Sequence, residues 1–148
     1  MEDELIIAMM NRAWEEVPEL SLIDEDYGQL DADQETYPVT FPCLLIGYIE
    51  TDWEGQTPQV QTGKNTLVTR LAMDCYDDTH MGSGTTEKIR ERHALKRKVY
   101  KTFQGFSFDP SRFGYLDRIK SRDFSLPGNI KVYETMYAFE SVDDSISM

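Results

Sequence analysis

The chain has only two cysteines and two histidines in 148 residues, and it has no long apolar run. A membrane-crossing helix needs roughly 18 or more apolar residues, so no membrane partner is expected. Cys43 and Cys75 sit in apolar, strand-like stretches. They read as buried free thiols, and neither requires an oxidising compartment. The opening MEDELIIAMM has acidic flanks around a short apolar run, which is the wrong charge for a signal peptide. Positive charge is nearly missing from the first third: residues 1–54 carry fifteen Asp and Glu against Arg12 alone.

Catalytic motifs are missing too. Gln61-Thr62-Gly63-Lys64-Asn65-Thr66 is not a phosphate-binding loop, because Pro58 stands where the first glycine belongs and Asn65 replaces the Ser/Thr magnesium ligand. No lysine has Asp or Glu two positions before it, which counts against a restriction-type nuclease. Asp74, Cys75, Asp77, Asp78 and His80 form the most metal-like cluster. On a strand Asp74 and Cys75 point to opposite faces, and a hydrolytic zinc wants three well-placed ligands. Ser83 lies between glycines but lacks the Gly-x-Ser-x-Gly elbow. The reading is therefore no enzyme, no catalytic residue, no metal and no cofactor. A small metal-dependent hydrolase or nuclease using Asp74, Asp77, Asp78 and His80 is the alternative from another class, and an acidic inhibitor protein is a further one.

Hydrophobic residues make up 40% and aromatics 11%, which suits one globular domain spanning 1–148. The segment 1–17 reads as a first helix: Leu5, Ile6, Met9, Met10, Ala13, Trp14 and Val17 recur near 3.6 spacing, and Pro18 stops it. Residues 20–23 form a short strand. Residues 24–37 are rich in Asp, Glu, Gln and Gly and read as an exposed acidic loop. The run CLLIGYI within 41–50 reads as a strand buried on both faces, and 53–57 as a polar turn with Pro58 after it, which predicts a hairpin or a mobile β-loop. Residues 60–76 form the longest strand, with Gly63 at a turn or bulge. Leu67, Thr69, Leu71, Met73 and Cys75 face one way; Val68, Arg70, Ala72, Asp74 and Tyr76 face the other. Residues 85–105 form a basic second helix capped by Thr85 or Thr86. Its inner stripe is Ile89, His93, Lys96, Tyr100 and Phe103 with Leu95 and Val99 beside it, and Gly105 ends it. Residues 115–124 look like a charged edge strand, 130–140 like the last strand, and 141–148 like a frayed tail. Helix, strands, helix, strands without βαβ alternation favours α+β: a mixed, mainly antiparallel sheet with two main helices on one face.

Charge is segregated along the chain. The net charge is −12, yet residues 85–105 hold seven Lys and Arg against two Glu. The overall field repels phosphate and no recognition motif accompanies the helix, so sequence-specific nucleic-acid binding is not expected. The basic helix is either a solvated face or a docking surface for an acidic neighbour, which includes a copy of the same chain. The candidate interface residues are Arg90, Arg97, Lys98 and Lys101 on the basic side, and Asp24, Glu25 and Asp26 on the acidic side.

The layout resembles the tail-terminator, or tail-completion, proteins of long-tailed phages and prophages. The resemblance runs over residues 1–142: an opening helix, the proline-flanked strand YPVTFPCLLIGYIE, a polar β-loop, the long strand LVTRLAMDCYDD, the second helix, and closing strands YLDRIKSRDF and NIKVYETMYAFE. It implies a non-enzymatic structural protein that forms a ring, commonly a hexamer, capping the tail tube and joining it to the head. The implied partners are copies of itself, tail-tube protein and head-connector proteins. The implied location is the virion, and the bacterial host cytoplasm during assembly. Another head–tail connector, a stopper or adaptor, is the neighbouring alternative.

Overall fold

A computed structural model describes residues 2–31, 37–75 and 80–145. Seven elements follow in chain order: α1 (Glu2–Glu16), β1 (Leu22–Glu25), β2 (Cys43–Thr57), β3 (Val60–Asp74), α2 (Glu87–Phe103), β4 (Asp117–Leu126) and β5 (Ile130–Asp143). The strands form one sheet in the order β1-β2-β3-β5-β4. Only β1 and β2 run parallel; every other neighbouring pair is antiparallel. The fold is thus the expected α+β with a mixed, mainly antiparallel sheet.

Both helices pack on one face. Leu5, Met9, Ala13 and Val17 from the α1 segment meet Val99 and Phe103 of α2 over Leu44, Ile46, Leu67, Leu71, Tyr133, Tyr137 and Phe139 of the sheet. The alternation read along residues 67–73 and 130–139 appears here directly, because each strand lends every second side chain to this core. The opposite face carries a smaller core of Cys43, Leu45, Ala72, Ile130 and Val132 with Leu30 above it. Tyr37, Val39 and Phe41 pack against that second core. Both cysteines are free; Cys43 is buried, which pushes its thiol up to about 12, whereas Cys75 lies just beyond β3 and is only half-buried.

Several expectations change. Trp14 does not join the α1 stripe and stands 72% exposed. Ile89 is likewise outside the core, and the buried side of α2 is Val99, Thr102 and Phe103. In each case the apolar arc is wider than the strip the sheet covers. The segment read as an exposed acidic loop starts as strand β1 through Asp24 and Glu25 and then buries Asp26, Gln29 and Leu30. Residues 32–36 of it lie outside the described residues. Gln29 earns its place by folding back: its amide donates to the Glu25 carbonyl at 2.9 Å and its oxygen accepts from the Tyr27 N–H at 2.9 Å.

The expected hairpin forms, but its turn falls at Pro58 and Gln59, not within 53–57. β2 runs on through that polar stretch to Thr57, paired with β3 down to Val60, with irregularities between Gly47 and Glu50 and between Gly55 and Thr57. An arm exposed on its outer side needs no apolar alternation, so its composition resembles a loop. Gly63 is a paired residue of β3, not a bulge. A Cβ there would come within 2.7 Å of the Ser141 Oγ and 2.9 Å of Thr51 Cγ2, so only glycine fits. Beside it Asn65, 4% exposed, donates to the Phe139 carbonyl at 3.1 Å and to the Ser141 Oγ at 2.9 Å. This polar knot roots the arm. The segment read as a frayed tail, 141–148, begins inside β5: Ser141, Val142 and Asp143 pair with Gly63, Thr62 and Gln61.

Candidate protein interface

α2 lies over β5 and the β4 side of the sheet. Phe103 meets Tyr137 edge-on at 6.2 Å, and His93 meets Tyr133 edge-on at 5.4 Å. The ammonium of Lys96 sits 5.4 Å from the Tyr133 ring, and the Arg118 guanidinium covers the Tyr100 ring at 3.7 Å. These contacts use the stems and rings of α2's inner side, and Arg92 beside them is half-buried. Arg90, Arg97 and Lys101 are exposed. On the neighbouring edge strand Arg118, Lys120 and Arg122 are exposed as well. The basic helix and the charged strand therefore share one flank of the molecule.

The other flank is acidic. α1 packs against β1 and β2, and its Glu15 and Glu16 are exposed. Glu25 is exposed on β1, and Glu50, Asp52 and Glu54 are exposed along the outer part of β2. Charge segregated along the sequence is thus segregated across the sheet, with unlike flanks at its two ends. Arg12 is the tie between helices: its Nε donates to the Thr102 carbonyl at 2.7 Å, and its guanidinium stands 5.0 Å over the Phe106 ring. A cation suits the carbonyl-rich end of α2.

The predicted interface residues fall into two kinds. Arg97 and Lys101 are open, and Arg90 is exposed although bound to Glu87 on its own helix. Lys98 is engaged within the chain: its ammonium donates to both carboxylate oxygens of Glu19 at 2.8 and 2.9 Å, joining α2 to the end of the α1 segment. Glu25 is exposed, and Asp24 is half-buried, accepting from the Glu25 N–H at 2.8 Å. Asp26 is not a surface residue. Its side chain is fully enclosed, its Oδ1 accepts from the Gly28 N–H at 3.1 Å, and its Oδ2 lies 3.7 Å from Arg70 Nε. Arg70 explains why an acidic residue turns inward there.

Arg70 is the centre of a charge cluster on the sheet face away from the helices. It reaches Asp31 at 3.1 Å and Glu134 at 3.1 Å, and its guanidinium is 5.3 Å from the Tyr48 ring. Arg122 donates to the other oxygen of Glu134 at 2.8 Å. Burial alone would raise the Glu134 carboxyl; the hydrogen bonds and charges of Arg122 and Arg70 outweigh it and hold the group below its ordinary range. For Arg70 burial acts to lower the value, and the charges of Asp26, Asp31 and Glu134 overcome it, so the net shift is upward. The cluster ties β3, β4, β5 and the segment after β1 together.

Two sets of interface candidates were not singled out from sequence: Lys120 and Arg122 on β4, and Glu50, Asp52 and Glu54 on β2. The charge on the edge strand was visible; what it faces was not. Of the metal-like cluster, Asp77 and Asp78 lie outside the described residues, and Asp74 is exposed at the end of β3. Among the described residues no three His, Cys, Asp or Glu side chains gather as a metal site, and no helix is long and apolar enough to cross a membrane.

No family model matches the chain, and no curated protein matches it in sequence. Its fold is similar to that of a chain from the virion of a native gene transfer agent particle, with a TM-score of 0.58 and 8% identity, over 93% of this chain and 91% of the other.

Proposed function

We propose that this chain is a non-enzymatic structural protein of a phage or phage-like virion. Within that class we propose a tail terminator: a ring that caps the tail tube and offers a surface for head attachment. The observation that carries the reading is the likeness in fold, over nearly the whole of both chains, to a component of a gene transfer agent virion. The layout resemblance to tail terminators supplies the position within the particle. The unlike flanks fit it physically, because a ring is built from heterologous contacts in which one face of a subunit meets a different face of the next.

The test is to mix the purified chain separately with the tail-tube protein and the portal protein of the same phage-like particle, and to image the products by electron microscopy. A ring seated on the end of the tube is the expected result. Binding to portal alone would move the chain to the stopper or adaptor class. Binding to neither, with no self-association, would overturn the reading.

A further inference from the structure

The sheet has two open edges. β4 pairs with β5 on one side; on the other, beyond Arg118, whose N–H donates to Gln104 Oε1 at 2.8 Å, its edge is open among the described residues. β2 pairs with β1 only over Cys43–Ile46, so residues 49–57 have β3 on one side and an open edge on the other among the described residues. Long open edges invite pairing with another chain, and proteins usually blunt them. Here both are long, and they carry opposite charge.

The registers place those charges on one face. Glu50, Asp52 and Glu54 stand opposite Thr66, Lys64 and Thr62. Thr66 stands opposite Ala138, and Lys120 and Arg122 stand opposite Met136 and Glu134 on the same strand. Residues 134, 136 and 138 alternate onto one face. All three carboxylates and both cations therefore lie on the side away from the helices. Strand direction reverses at each step from β2 through β3 and β5 to β4. Rotation about a common axis keeps the sense in which each strand runs along that axis, so copies so related would bring β4 of one beside β2 of the next in antiparallel sense.

The offset between the edges also fits a closed ring. The middle of β4, Ser121, is level with Thr135 on β5, whereas Trp53, midway along the outer arm, is level through Gly63 with Ser141. Six residues of strand are about 20 Å, and four strands side by side are about 19 Å. The sheet must tilt by about 45° for the edges to meet without a rise along the axis, close to the tilt of closed barrels.

We propose that β4 of one copy adds antiparallel to residues 49–57 of a second copy, with Lys120 and Arg122 set against Glu50, Asp52 and Glu54. The proposal rests on the ring reading above and names its subunit contact. Main-chain hydrogen bonds supply the attraction, and the cross-strand charges choose the partner edge. Two β4 edges would oppose cation to cation, and two arms carboxylate to carboxylate, so only the head-to-tail pairing is favoured.

The test uses the full chain in sedimentation velocity, with and without tail-tube protein. Lys120→Glu with Arg122→Glu makes both edges acidic; Glu50→Lys with Asp52→Lys and Glu54→Lys makes both basic. Each variant alone should assemble at least tenfold more weakly than wild type, and an equal mixture of the two should assemble again. Because Glu at position 122 would sit beside Glu134, a second arm uses single cysteines in a Cys75→Ser background. Lys120→Cys should form an intermolecular disulfide with at least one of Glu50→Cys, Asp52→Cys or Glu54→Cys when the chains are mixed under oxidising conditions. Rings that form normally in the reversed variants and give no cross-link would overturn the strand pairing and leave the ring reading standing. Wild-type chain that stays monomeric even with tail-tube protein would overturn both.

Discussion

Arg70 and Arg97 are the same residue type put to opposite uses on two sides of the molecule. Arg70 is 15% exposed in its side chain and is surrounded by Asp26, Asp31 and Glu134. Arg97 projects from the outer side of α2 into solvent. The difference separates charge that holds the fold from charge that is free to meet another molecule. Removing one partner from an enclosed pair leaves the other uncompensated, whereas an exposed cation loses little. The buried cluster should therefore respond to mutation in stability, and the outer charges in assembly.

The sharpest way to break the comparison is Arg70→Leu. It strands the enclosed Asp26 carboxylate and removes the link to Glu134. A loss of about 3 kcal/mol is expected in denaturant unfolding, at the low end for a broken buried pair because Asp31 is half-exposed. Glu134→Gln comes next, with roughly 1–2 kcal/mol lost at neutral pH. Its sign with pH is fixed: a carboxyl held below its ordinary value of 4.5 stabilises fully above that value and loses its effect as pH falls through the lowered one. The wild type should thus have a steeper acid limb of stability than Glu134→Gln, measured by thermal melts on either side of that value. Lys98→Ala cuts the tie to Glu19, but both side chains are nearly half-exposed. Only ~0.2–1 kcal/mol should be lost. Arg97→Glu with Lys101→Glu should change stability by less than about 0.5 kcal/mol and yet weaken assembly. Unchanged assembly would make the outer side of α2 a solvated face and nothing more.

How far the sequence told these charges apart depends on the element. Strand alternation around Leu67–Leu71 and Tyr133–Phe139 was legible because each face meets a different environment. The edge position of β4 was legible from its exposed charges. The outer arm of β2 was not, since an arm solvated along its outer side leaves no apolar period to read. The inward turn of Asp26 was hidden for a related reason. Its partner Arg70 is 44 positions away in sequence and on another strand, and no local pattern reports a long-range ion pair. The errors on the helices were of rotation: apolar arcs containing Trp14 and Ile89 were wider than the strip the sheet covers. The spatial gathering of basic α2 with β4, and of acidic α1 with β1 and β2, follows from sheet order, which the sequence did not specify.

The central claim is that these unlike flanks meet between copies. It is tested most directly by sedimentation velocity of the wild-type chain with tail-tube protein across a salt series. If the flanks meet in this way, a discrete multimer forms at low salt and dissociates as ionic strength rises and exposed charges are screened. A chain that stays monomeric at every salt and concentration, or a multimer indifferent to salt, would contradict it.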